Sequence, residues 1–128
     1  MAYLWISLGG ALGTIARFWL SGLVASHRIG QTFPTGTLVV NVTGSFVIGF
    51  IAALNVPEGR FYISPMVRQF LMIGVLGGYT TFSSFSLQTM NLTGEGEWLY
   101  AILNVTLSVL LCLLAVWLGQ VLAQTLVR

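Results

Sequence analysis

Within the 128-residue chain, the stretch GVLGGYTTFSSFS, Gly74 to Ser86, joins three kinds of group that rarely meet in a membrane segment. Gly77-Gly78 followed by Thr80-Thr81 marks a point where a helix can unwind. Unwound backbone at membrane depth is tolerated only where it is buried or lines a cavity. Its freed carbonyls could hold a cation, as they do in the broken helices of transporters. Phe82 and Phe85 are three residues apart and share a face if the chain is helical there. Aromatic rings are electropositive at the edge, so two rings turned edge-on could contact an anion; ordinary core packing is the plainer alternative. The absence of Lys after the glycines excludes a Walker-type phosphate loop.

Three other sets of polar residues stand out. Arg17 lies within an apolar stretch, where a charge costs at least about 2.5 kcal/mol. It snorkels to an interface, marks the end of a shorter span, or supplies a fixed positive charge that attracts anions into a wet vestibule. Asn41 lies in the uncharged run GTLVVNVTGSFVIG. An amide in hydrocarbon needs partners, and it finds them either across a helix pair or along a polar path. Asn104, Ser108 and Cys112 recur every four residues and so lie on one helical face, for packing or for lining a pore.

These residues require helices that cross a bilayer. Hydrophobic residues make up 56% of the chain and charged residues 6%, far below the roughly quarter expected of a soluble domain. About 20 mainly apolar residues span a membrane. Four stretches qualify: Ala2 to Ala25, the run between Pro34 and Pro57, Met66 to Leu92, and Trp98 to Val127. Tyr3, Trp5, Phe33, Phe61, Tyr62, Trp98 and Tyr100 fall near span ends, where aromatic rings suit the interface. A signal peptide is a poor reading of the first span, which lacks a basic start and is interrupted by Arg17. The expected organisation is a single four-helix transmembrane domain over residues 1–128.

Composition also excludes function classes. The net charge is +2, with no basic run to suggest nucleic acid. A lone Cys112 and a lone His27 rule out an internal disulfide and a cysteine or histidine metal cluster. No nucleophile–base pair or acid pair suggests an enzyme. The Asn-X-Thr triplets at Asn41, Asn91 and Asn104 match a glycosylation pattern, but two lie inside spans and the match is accidental.

Four spans place both termini on one side, with Glu58, Arg60, Arg68 and Arg128. His27, Arg28, Glu95 and Glu97 fall opposite. Three arginines against one is a weak positive-inside bias. Either the terminal side is cytoplasmic, or the chain inserts both ways and pairs as an antiparallel dimer. Gly9/Gly13, Ser45/Gly49 and Gly74/Gly78 are small pairs four apart that let helix backbones approach closely. Four helices offer little interior for a pathway, so transport implies oligomerisation.

GGALGTIARF, GTLVVNVTGSFVIG and GGYTTFSSFS resemble the three signature regions of the Fluc/CrcB fluoride channels, and the likeness runs through nearly the whole chain. The resemblance implies an all-α membrane protein with four transmembrane helices per protomer, the third broken, paired as an antiparallel dual-topology homodimer. It implies two pores that pass fluoride out of the cell passively, in the bacterial inner membrane, with no protein partner beyond the second copy. It places Phe82, Phe85, Asn41, Ser108 and Asn104 along the fluoride pore and Arg17 in the vestibule. It assigns the carbonyls of Gly77 and Thr80, from both subunits, to a structural sodium ion at the dimer centre. Cys112 stands where a hydroxyl is common, and Gln88 where the family commonly has Glu. A small dual-topology exporter of organic cations shares length and helix count, but no acid lies inside a span. A membrane scaffold without transport is a further alternative.

Overall fold

The computed structural model describes residues 1–26, 32–54 and 63–127. Among these, α1 spans Ala2–Ser26 and α2 spans Thr35–Leu54. The third span is segmented: α3 Pro65–Gln69, a π-helical stretch Phe70–Val75, α4 Leu76–Tyr79 and α5 Phe82–Gly94. Helix α6 runs Trp98–Val127. These make four helical spans long and apolar enough to cross a membrane, with the third taken as Pro65–Gly94. His27, Arg28, Glu58, Arg60 and Arg128, on which most of the charge asymmetry rests, lie outside the described residues, as do Pro57, Phe61 and Tyr62.

Local chemistry sets the ends of the third span. Ser64 caps α3 by accepting a hydrogen bond from the Val67 N–H, and Pro65 occupies the first turn, where its missing donor costs nothing. Gly96 closes the other end with φ +81°, a conformation that suits glycine. The Gly96 N–H donates to the Thr93 carbonyl at 3.1 Å and the Glu97 N–H to the Leu92 carbonyl at 2.8 Å. This reciprocal pair ends α5 and turns the chain directly into α6.

Two close helix pairs build the bundle: α1 against the third span, and α2 against α6. A Cβ at Gly13 would collide with the Val75 carbonyl, and one at Gly78 would fall 2.5 Å from the Gly10 carbonyl. On the other pair, Gly49 packs on the Val116 backbone and Gly119 on the Phe46 carbonyl. Small residues thus replace side-chain interdigitation with backbone contact, the packing that lipid-embedded helices favour. Trp5 adds an edge-to-face contact with Phe70 at 6.1 Å, holding α1 to the π-helical stretch.

Large apolar side chains such as Leu12, Ile15, Phe18, Leu110 and Trp117 face outward, as a bilayer solvent permits. The buried set is small: Val40, Leu76, Phe85, Leu92 and three alanines of α6, with the polar Thr81, Asn104 and Ser108. Buried polar groups in so thin a core must be hydrogen-bonded.

Candidate functional site

The third span stops being helical at Thr80 and Thr81, which are extended (φ −81°, ψ 158° and φ −151°, ψ 116°). Gly77 and Gly78 remain helical, so the unwinding lies downstream of the glycines. The reason is in their surroundings: Gly78 is needed for contact with Gly10, while Thr81 finds substitute partners. The Thr81 N–H donates to Asn41 Oδ1 at 2.8 Å, and Asn41 Nδ2 donates to the Thr81 carbonyl at 3.0 Å. The side-chain amide gives the Thr81 N–H the acceptor it loses at the break, and adds a second bond to the Thr81 carbonyl, which as the cap of α5 already accepts the first intrahelical bond. Asn41 is therefore an interhelical bond, and it also lines a cleft.

The two half-helices at the break are each capped. Thr81 Oγ1 accepts from the Ser84 N–H at 3.1 Å and lies 3.0 Å from Ser84 Oγ. Thr80 Oγ1 donates to the Leu76 carbonyl at 2.9 Å. Tyr79 lies 2.8 Å from Thr43 Oγ1 through its hydroxyl, and its ring covers Gly44. Thr43 is also 2.8 Å from the Val39 carbonyl and has one proton to give, so Tyr79 is the donor to Thr43. The break sets the carbonyl-rich end of α4 beside the N–H-rich end of α5, partial negative beside partial positive.

A cleft of about 450 Å³ opens next to this break, between α2, α5 and α6. Asn41 and Ser45 line one side, Thr80, Thr81, Phe82 and Phe85 the second, and Ser108 and Cys112 the third. The two rings touch, with centroids 5.3 Å apart and planes at 49°. Phe85 is 9% exposed and Phe82 78% exposed, so one ring belongs to the wall and the other projects from it. No charged side chain lines this cleft. Asn104 is not among its lining residues. It is 2% exposed and donates through Nδ2 to Thr89 Oγ1 at 2.9 Å. The helical stripe of α6 thus divides: Ser108 and Cys112 face the cleft, and Asn104 lies behind its wall.

A second polar region runs between α1, α2 and α5. Its inner cavity, about 300 Å³, is lined by Thr14, Arg17, Ser21, Thr37, Ser84 and Gln88 among others. Its outer cavity, about 550 Å³, shares Phe18, Ser21, Thr37 and Gln88 and continues past Asn91 to Glu95. Arg17 is half-buried and donates through Nη1 to the Thr80 carbonyl at 3.4 Å. The buried Gln88 Oε1 has no hydrogen-bond partner. Ser84, Gln88 and Asn91 fall at helical spacing on one stripe of α5, which its caps Thr81 and Glu95 extend at either end. That stripe is legible in the sequence once a helix start at Phe82 is known. Among the described residues, no group of three or more His, Cys, Asp or Glu could hold a metal.

The family model described as "CrcB-like protein, Camphor Resistance (CrcB)" matches residues 4–120. The chain belongs to the CrcB family. It is 63% identical over 121 residues to a protein of Opitutus terrae, covering 94% of this chain and 91% of that protein. Against a Rhodospirillum rubrum protein the identity is 60%, covering 94% and 93%. Against one from Paramagnetospirillum magneticum it is 51% over 128 residues, covering 100% and 99%. All three are named "Fluoride-specific ion channel FluC". With four apolar helical spans, the chain is a multi-pass bacterial membrane protein of a channel family.

Proposed function

We propose that this chain is the protomer of a fluoride-selective channel that lets fluoride leave the cell passively. The observation that carries the reading is the uncharged cleft in which Asn41, Ser108 and the Phe82–Phe85 pair meet the N-terminal end of α5, in a chain 63% identical to a named fluoride channel.

Fluoride is small and tightly hydrated, so a pore must replace most of its water with donors at close range. The second Nδ2 proton of Asn41, the Ser108 hydroxyl and the edges of the two rings supply such donors without a fixed charge. A neutral path binds the ion weakly enough to let it leave. Arg17 serves a different end. In the separate polar region it raises the local anion concentration before dehydration begins.

The working unit in this reading is an antiparallel pair. Phe82 projects from the cleft wall of a single chain, and the cleft is open at its side. A second copy would close the path, and two copies would provide two. The weak charge bias of the sequence suits insertion in both directions.

A structural sodium ion at the centre of the pair fits the residues present. The Thr81 N–H is engaged by Asn41, so it does not bond the Gly77 carbonyl, and Gly77 is exposed with no side chain over it. Carbonyls of Gly77 and Thr80 from two chains would give four oxygens, the hard donors such a cation takes. The ion would offset the negative ends of two α4 helices. Thr80 shares its carbonyl with Arg17 at 3.4 Å, which its second lone pair allows.

The organic-cation exporter has no support: its chemistry needs a membrane-embedded acid, and none lies within the four spans. Efflux of fluoride from liposomes containing the purified protein tests the proposal, with a quaternary ammonium cation followed in parallel. Rapid fluoride loss with the cation retained is expected. Cation loss with fluoride retained would overturn it.

A further inference from the structure

Behind the cleft, three residues form a directed chain of hydrogen bonds from α6 into α5. Asn104 Nδ2 donates to Thr89 Oγ1 at 2.9 Å. Thr89 Oγ1 donates to the Phe85 carbonyl at 2.8 Å. A hydroxyl has one proton, and here it goes to the carbonyl, so the oxygen is free to accept from the amide. The direction is thereby fixed: amide to hydroxyl to backbone. Asn104 is almost fully buried and the Phe85 ring forms part of the cleft wall.

We infer that Asn104 and Thr89 are positioning residues for Phe85, acting through this relay rather than by touching the permeating ion. The inference rests on reading the cleft as the fluoride path. A threonine hydroxyl bonded to the carbonyl four residues back bends its helix slightly. Anchoring that hydroxyl from α6 fixes the bend, and with it the angle at which the Phe85 ring leaves the backbone. Phe85 then meets Phe82 at 5.3 Å in one tilted arrangement. A ring that contacts an ion by its edge must hold that angle, because turning it presents the electronegative face. Asn104 thereby has a role although it lines neither the cleft nor the polar region around Arg17.

The test compares fluoride flux and thermal unfolding in the purified, liposome-reconstituted parent, Thr89→Val, Thr89→Ser, Asn104→Leu and the Asn104→Leu/Thr89→Val double variant. Thr89→Val keeps the shape, removes the hydroxyl and strands the amide. Its flux is expected to fall about tenfold or more, since misplacing a working group by about 1 Å can cost on the order of a hundredfold. Thr89→Ser keeps the relay and should hold flux within about twofold of the parent. The double variant leaves no polar group stranded, so its stability should return towards the parent's. Its flux should stay low, because nothing then aims Phe85. Recovery of both stability and flux in the double variant would overturn the inference, reducing the relay to the satisfaction of buried groups. Parent-level flux in Thr89→Val would overturn it as well. Should Thr89→Val fail to assemble, the double variant decides between the same two outcomes. Failure of the channel reading is separate: the parent itself would then carry no fluoride.

Discussion

The cleft between α2, α5 and α6 and the corridor between α1, α2 and α5 both adjoin the same interrupted span and share Thr81 as a wall, but they differ in charge. The cleft has hydroxyls, one amide and two rings, with no charge. The corridor has Arg17 at its inner end, Glu95 at its outer end and an unpartnered amide oxygen at Gln88 between them. Polar groups around the cleft are held in place by specific bonds, Asn41 to Thr81 above all. Charge gathers ions from a distance, whereas neutral dipoles can be fixed closely enough to replace a hydration shell. In the proposed reading the two tasks are separated, so that the ion is not held along its path by the half-buried Arg17.

Asn41→Leu should have the largest effect, because the cleft exists only while the break is held. The Thr81 N–H would be left without a partner, at about 1–3 kcal/mol, and the Thr81 carbonyl would lose its bond to α2. Thermal unfolding in detergent should show the loss, and fluoride flux should vanish with it. Next come Phe82→Ile and Phe85→Ile, which spare the break. Flux should fall about a hundredfold, corresponding to about 2.7 kcal/mol of lost stabilisation along the path. Size-exclusion chromatography should still give the parent's assembly. Unchanged flux in both would refute contact between ring edges and fluoride.

The corridor should be easier to perturb without loss. Arg17→Gln removes its fixed charge and should lower flux about tenfold at low fluoride, with recovery at high fluoride and weaker salt dependence than the parent. Equal loss at all concentrations would assign Arg17 to the break, through its bond to Thr80, rather than to gathering ions. Gln88→Met is the mildest change. It removes a buried oxygen that has no partner, so stability should hold or rise by about 1 kcal/mol, and flux should stay within about threefold. A large loss would show that Gln88 contacts the ion or its water.

Much of this was legible from residue types and spacing. Apolar length gave four spans, and the small pairs marked helices that pack closely, but that α1 meets the third span is visible only in the structure. The unwinding was visible in outline from Gly77 to Thr81, but its position depends on Asn41, whose partner lies 40 residues away. Periodicity reports which residues share a face and not what that face meets. For the same reason Asn104, Ser108 and Cys112 read as one stripe, whereas the structure turns Asn104 toward Thr89. Nor does any pattern in the sequence reveal that Tyr79 reaches Thr43, since that contact requires α2 and α4 to be adjacent.

The most direct measurement follows fluoride and chloride electrodes side by side in one suspension of liposomes loaded with both potassium salts. Valinomycin supplies the compensating potassium current. Fast fluoride loss is expected to begin only when valinomycin is added, with chloride retained until detergent releases it. Chloride leaving alongside fluoride would contradict selection by the Phe82–Phe85 cleft. Fluoride leaving at full speed without valinomycin would contradict a passive, uncoupled channel.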